Sequence, residues 1–167
     1  MVESERFIYR KYEDRDLEFL ASMLSNVEMM KFIGEGNPRD IQQAKEFLAW
    51  IYGHYHRSDE YGLKLMIRKS DGARVGHAGI VPQQIEGIEE LEIGYWIARD
   101  YWGKGYASEA AQTFKMRGDE IIKANRLISL IQPANKASRK VAEKIGMALE
   151  KEIMLKGKEV CVYVYNK

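Results

Sequence analysis

Apolar and polar positions alternate from Arg6 to Tyr12, with Phe7 and Tyr9 opposite Ile8 and Arg10, and this period of two predicts a first strand. The period then lengthens. Leu17, Leu20, Ala21 and Leu24 recur at helical spacing behind Asp14 or Asp16 as a cap, and Ile41, Ala44, Phe47, Leu48 and Ile51 do so behind Asp40. A glycine-broken loop, Gly34-Glu35-Gly36-Asn37-Pro38, separates these two helices. After Gly62 the alternation returns: Leu63, Leu65 and Ile67 oppose Lys64, Met66 and Arg68, and Ser70-Asp71-Gly72 is a hairpin signal. Ala73 to Val81 and Glu89 to Ile97 are the next strands. Ala107, Ala110, Ala111, Phe114, Gly118, Ile121 and Ile122 then form a helical stripe. Leu127 to Ile131 is nearly all apolar, as in a strand covered on both faces. Asn135 caps a short helix carrying Val141, Ala142 and Ile145 and ended by Gly146. Strands Leu149 to Leu155 and Glu159 to Tyr165 flank the turn Lys156-Gly157-Lys158. Pro38, Pro82 and Pro133 read as punctuation between segments. The order β-α-α-β-β-β-α-β-α-β-β predicts an α/β (α+β) domain, with a mixed sheet of six to seven strands and about four helices.

Composition narrows the classes. The chain has 167 residues, 46% apolar and 31% charged, and is read as one domain spanning 1–167. Twenty-six Lys and Arg face 25 Asp and Glu, a net charge of +1, without the basic excess of a duplex-binding protein. No apolar run approaches the roughly 20 residues that cross a bilayer. The segment MVESERFIYRKYEDRD lacks the apolar core of a signal peptide, so a cytoplasmic location is expected. The single cysteine, Cys161, excludes an internal disulfide, and no metal site is expected.

The densest glycine signal is Trp102-Gly103-Lys104-Gly105-Tyr106-Ala107, between a strand and a helix start. Unpaired N–H groups and the dipole at a helix start suit a phosphate, and Lys104 adds charge; alternatively the glycines only permit the turn. The P-loop pattern is absent. The segment is a near miss for the dinucleotide fingerprint, but Ser108 stands where Gly or Ala belongs and no acidic residue closes a strand about 20 positions on.

Together with Asn135-Lys136-Ala137-Ser138 and Glu143-Lys144-Ile145-Gly146-Met147, this loop and Glu92-Ile93-Gly94-Tyr95-Trp96-Ile97 resemble the GNAT superfamily of acetyl-CoA-dependent N-acyltransferases. The ribosomal-protein N-terminal acetyltransferase branch is the one they look most like. Gly105 and Ala107 match the small positions of the family's phosphate loop, with Trp102 in its Gln/Arg place. The resemblance implies that backbone N–H groups from Gly103 to Ser108 hold the pyrophosphate of CoA. It implies further that the strand ending at Trp96 and Ile97 pairs with the pantetheine amides, splaying from Leu127 to Ile131. Asn135 would bond the pantetheine arm near the thiol.

Many family members protonate the leaving thiolate with a Tyr, but the matching position here is Ala142, which leaves Ser138 as the nearest hydroxyl. Ser138 equally suits support of the helix start. Glu92 is the candidate general base; its alternative is an ion pair with a neighbouring strand. His77 reads as a packed core residue. The aromatic run from Trp50 to His56 reads as a wet helix end that can also wall the acceptor pocket. Lys136, Arg139 and Lys140 read as exposed charge or as contacts to the adenosine 3′-phosphate, and Cys161 and the methionines as packing. The expected activity is acetyl transfer from acetyl-CoA to a primary amine, a protein N-terminus or a small molecule, by direct attack in a ternary complex. The alternative is a CoA-binding sensor or interaction module without turnover. The last strand either pairs across a homodimer or completes its own sheet.

Overall fold

A computed structural model describes residues 1–167 and turns each of the seven alternating or apolar segments into a strand of one sheet. In chain order these are β2 (Phe7–Lys11), β3 (Gly62–Arg68), β4 (Arg74–Ile85), β5 (Ile88–Ile97), β6 (Arg126–Ile131), β7 (Ala148–Leu155) and β8 (Lys158–Asn166), preceded by a two-residue β1 (Val2–Glu3). The helices are α1 (Leu17–Leu24), α2 (Val27–Met30), α3 (Ile41–Arg57), α4 (Tyr106–Glu120) and α5 (Lys136–Lys144). The sheet therefore has eight strands rather than six to seven, and there are five helices rather than four. Both additions are too short to show a period: β1 has two residues and α2 a single turn, capped by Asn26.

The strand order is β1-β2-β3-β4-β5-β6-β8-β7, antiparallel except where β5 meets β6. Strand alternation sends side chains to two cores. One, with Phe7, Tyr9, Ile80, Ile93 and Tyr95, lies under α4 and α5 with Phe114 and Ala142. The other, with Leu63, Leu65 and Val81, is covered by α1 to α3 through Leu20, Leu24, Leu48 and Ile51. At roughly 1.5–3 kcal/mol for each large apolar side chain removed from water, these two layers supply the main stabilising term.

Pro82 is not punctuation: it lies inside β4, opposite Leu91 of β5. A strand tolerates proline where no ladder bond is lost. By alternation the Pro82 nitrogen faces β3, which begins opposite Ile80 and so ends short of it. The strand thus runs on to a hairpin at Glu86-Gly87, beyond the Val81 limit read from the sequence.

Asp16 does not serve as a simple cap for α1. It is fully buried, receives Arg10 on both carboxylate oxygens (2.7 and 2.9 Å) and Arg74 on one (3.1 Å), and accepts the Glu13 N–H. Strand β8 sits between β6 and β7, so it completes its own sheet and offers no edge for a strand-paired dimer. No helix is long and apolar enough to cross a membrane.

Candidate active site

The sheet opens between β5 and β6. Their parallel pairing is confined to Glu92 opposite Ile128, after which the strands part as the sequence reading requires. Side chains take over the ladder bonds at the fork. The Ser129 hydroxyl donates to the Ile93 carbonyl (2.9 Å), and the Leu130 N–H donates to Glu92 Oε2 (3.2 Å). Backbone groups of successive strand residues face opposite neighbours. Ala98 N–H donates to Val75 on β4, so Trp96 also turns its backbone to β4, while Tyr95 and Ile97 face the opening. This corrects one expectation. The residues free to pair with an extended ligand are Tyr95 and Ile97, not Trp96, and the Ile97 carbonyl already accepts the Trp102 indole N–H at 2.6 Å.

One side of the opening is a helix start with open donors. Gly105, the N-cap of α4, has φ +76° and offers no side-chain cap, and Gly103 also has φ +76°. Both lie in the left-handed region where a Cβ is strained, which is why glycine is needed twice in this turn. The first N–H groups of α4 are thereby left for a ligand, at the positive end of a 15-residue helix. The carbonyl side of the loop is pinned instead. Arg6 donates to the carbonyls of Lys104 (3.1 Å) and Gly105 (3.4 Å) and is held by Glu109 at 2.5 Å. The Arg6–Glu109 brace joins positions 103 apart and left no trace in the local pattern. Lys104 is exposed and does not line the cavity, although Gly103 and Gly105 through Ser108 do.

Two cavities, about 560 and 580 Å³, flank the fork. The first runs from the loop at 102–108 to the start of α5, with Trp102, Tyr106, Asn135 and Lys136 on its walls. The second lies towards α3 and the β7–β8 turn and holds Glu92, Phe47 and Trp50. Tyr95, Trp96, Asn135 and Ser138 line both. Asn135 Oδ1 caps α5 by accepting the Ser138 N–H (3.2 Å), which leaves its amide NH₂ for a ligand. The cap is therefore Asn135, and the Ser138 hydroxyl is not spent on the helix start. The Tyr95 hydroxyl donates to the Ser138 carbonyl (3.0 Å) and so locks the α5 start to β5. Sequence pattern gives Tyr95 no separate role, because a contact to a residue 43 positions away has no local signal. Of the possible 3′-phosphate contacts, Arg139 is held by Tyr163 and Pro133, while Lys136 and Lys140 are exposed.

Glu92 has no cation beside it. Gln83 Nε2 donates to Oε1 (3.0 Å), and the basic partner on this face, Arg126, binds its strand neighbour Glu90 instead. Desolvation pushes the Glu92 carboxyl up from its ordinary 4.5 to about 7, against the two hydrogen bonds that favour its charge. His77 is packed, as expected: fully buried, bonded to the Tyr12 hydroxyl at 2.7 Å, and lowered to about 3 by desolvation. It stacks on Phe47 and tilts against Trp96, backing the aromatic wall of the second cavity. From the run at Trp50 to His56, Trp50 alone reaches that wall. Cys161 is buried core, and no group of three or more His, Cys, Asp or Glu has the arrangement of a metal site.

A family model for the acetyltransferase (GNAT) domain matches residues 6–148. The chain belongs to the GNAT acetyltransferase family. This GNAT chain is 39% identical over 163 residues to the uncharacterised protein YkkB of Bacillus subtilis, covering 96% of the chain and 92% of the relative. It is 31% identical to the uncharacterised N-acetyltransferase YnaD of the same organism, covering 95% and 90%. Among solved structures, a GNAT-family acetyltransferase from Bacillus anthracis superposes with a TM-score of 0.82 at 29% identity, over 99% and 97% of the two chains. The fold is shared with the ribosomal L7/L12 alpha-N-protein acetyltransferase RimL in complex with coenzyme A (TM-score 0.79, 17% identity, 98% and 95% covered). It is also that of a Vibrio cholerae spermidine N-acetyltransferase with CoA and spermine (0.76, 16%, 98% and 96%).

Proposed function

We propose that this GNAT protein transfers an acetyl group from acetyl-CoA to a primary amine, in a ternary complex formed across the fork. The carrying observation is the shared wall: Tyr95, Trp96, Asn135 and Ser138 line both cavities, and Glu92 stands without a cation on the second one. A cofactor arm threaded through the first cavity ends at this wall, facing an amine that enters from the second.

The chain's residues then divide the work. The open N–H groups at Tyr106 to Ser108 hold the pyrophosphate, with the dipole of α4 behind them. Tyr95 and Ile97 N–H, facing the opening, pair with pantetheine or polarise the thioester carbonyl. Glu92 takes the proton of the ammonium, directly or through a water, for which a pKa near 7 is well matched. The amine then attacks the carbonyl carbon; its C–N bond forms, the C–S bond breaks, and the second amine proton passes to the departing sulfur, giving the amide and free CoA thiol. The Ser138 hydroxyl stabilises the departing thiolate by hydrogen bonding, and Tyr95 is its positioning residue through the 3.0 Å bond to the Ser138 carbonyl.

Release of free CoA thiol, followed with acetyl-CoA and a panel of primary amines, tests this reading. The expected result is amine-dependent release that falls about 100-fold or more in Glu92→Gln. Tight acetyl-CoA binding with no release for any amine would support a sensor instead.

A further inference from the structure

The second cavity contains a cation with no partner of its own. Arg39 lies one residue before Asp40, the N-cap of α3, and its backbone N–H is anchored to the Leu24 carbonyl at the end of α1 (2.7 Å). Its guanidinium lines the cavity over the Phe47 ring (5.6 Å) and makes no hydrogen bond or ion pair within the chain. Burial alone acts on its ionisation; no carboxylate compensates.

Two other charges around it are spent on each other. Lys158 reaches Glu35 at 3.7 Å, and the Gln132 amide donates to the Gly34 carbonyl (2.9 Å); both contacts tie the loop before α3 to the far side of the cavity. Once Glu35 is paired, the only remaining carboxylate is Glu92, and Arg39 and Lys156 are left as unspent cations. A half-buried guanidinium without an anion is costly unless a ligand supplies one, and its planar fork fits carboxylate or phosphate.

Building on the transferase reading, we infer that the acceptor is a small amine carrying an anionic group, bound by Arg39 in the second cavity. The amine end turns to Glu92 and Ser138, and the anion sits at the α3 side. A polyamine is the opposite in charge: it needs several carboxylates, and this cavity offers none beyond Glu92 and the paired Glu35.

The test is a matched panel. The acceptors are the amino acids and β-alanine with their carboxamides, ethanolamine phosphate and glucosamine 6-phosphate with their unphosphorylated parents, and spermidine. Anionic members are expected to exceed their neutral partners at least tenfold in kcat/KM, the carboxylate and phosphate arms showing which anion is used. Arg39→Gln should erase that preference through the acceptor's KM, leave the KM of acetyl-CoA in place, and be partly rescued by Arg39→Lys. A binding arm is independent of turnover: thermal stabilisation of the CoA-saturated protein by N-acetylglycine against N-acetylglycinamide, and by N-acetylglucosamine 6-phosphate against N-acetylglucosamine. Turnover without preference for anionic acceptors, or preference for spermidine, overturns the anion site and leaves the transferase standing. No turnover with any amine, but an Arg39-dependent preference for an acetylated anion in the binding arm, overturns the transferase and leaves the anion site. No turnover and no such preference overturns both.

Discussion

Glu92 is held at a cost, and that cost makes a pH prediction. Its carboxyl is raised to about 7, so the folded protein holds a proton that the unfolded chain has lost between pH 4.5 and 7. Native stability therefore falls as pH rises through that window and stays lower above it. Glu92→Gln keeps an oxygen for the Leu130 N–H and removes the buried charge. It should be more stable than the parent above pH 7, by up to roughly 3 kcal/mol at 1.36 kcal/mol per pKa unit. The parent's kcat/KM should rise with pH through about 7, and that inflection should vanish in the variant when both are measured with the same amine. Asp16 makes the reverse case. Burial is the largest single influence and would raise its carboxyl, but the Arg10 hydrogen bonds, the Glu13 N–H and the charges of Arg10 and Arg74 together outweigh it and hold the carboxyl low. Its stabilisation is present above pH 3.8 and is lost as pH falls further. Asp16→Asn should cost about 2–3 kcal/mol in denaturant unfolding, below the full cost of stranding a buried charge, because Arg10 and Arg74 both reach water.

At the scale of elements, the N-terminus of α4 suits the proposed pyrophosphate site because its donors stay open while Arg6 ties down the carbonyls of the loop before it. Gly105→Ala places a Cβ at φ +76°, a strain of about 1–2 kcal/mol. The Kd for acetyl-CoA should rise about tenfold by calorimetry, with the acceptor's KM little changed. Sequence pattern located this loop, because glycine spacing before a helical stripe is a local signal. It did not reveal that Arg6 holds the loop from 99 positions away in sequence, nor that Lys104 turns to solvent. It found the strand carrying Glu92 and the faces on either side of it, since a period of two fixes which residues share a side. Which backbone groups point into the fork depends on β4, and Trp96 and Tyr95 exchange roles for that reason alone. Tyr95 serves twice: its ring lies in the core while its hydroxyl reaches Ser138.

For the whole molecule, the fork is a gap in an otherwise continuous sheet, crossed near its base by the Ser129 and Glu92 side chains and open beyond them to the proposed cofactor. Acetyl-CoA at 100 times its Kd should add about 2.7 kcal/mol of stability, seen as a rise of about 5–10 °C in Tm. Hydrogen exchange should slow most at Tyr95, Ile97 and the first turn of α4, whose amides face the gap. NAD at matched concentration should leave Tm unchanged.

Periodicity, turn chemistry and helix caps are short-range properties, and they were sufficient for the seven longer strands, the four longer helices, the glycine loop before α4 and the elements on which Glu92, Asn135 and Ser138 lie. Tertiary structure alone decided what is set by partners distant in the chain. It tucked β8 between β6 and β7, let Pro82 sit harmlessly inside β4, and gave Arg126 to Glu90 so that Glu92 had no cation. It also left Arg39 in a cavity without an anion. The physical reason is the same throughout. A residue's pattern in sequence reports which face it occupies, whereas its charge state and its free hydrogen bonds depend on what the fold brings against that face.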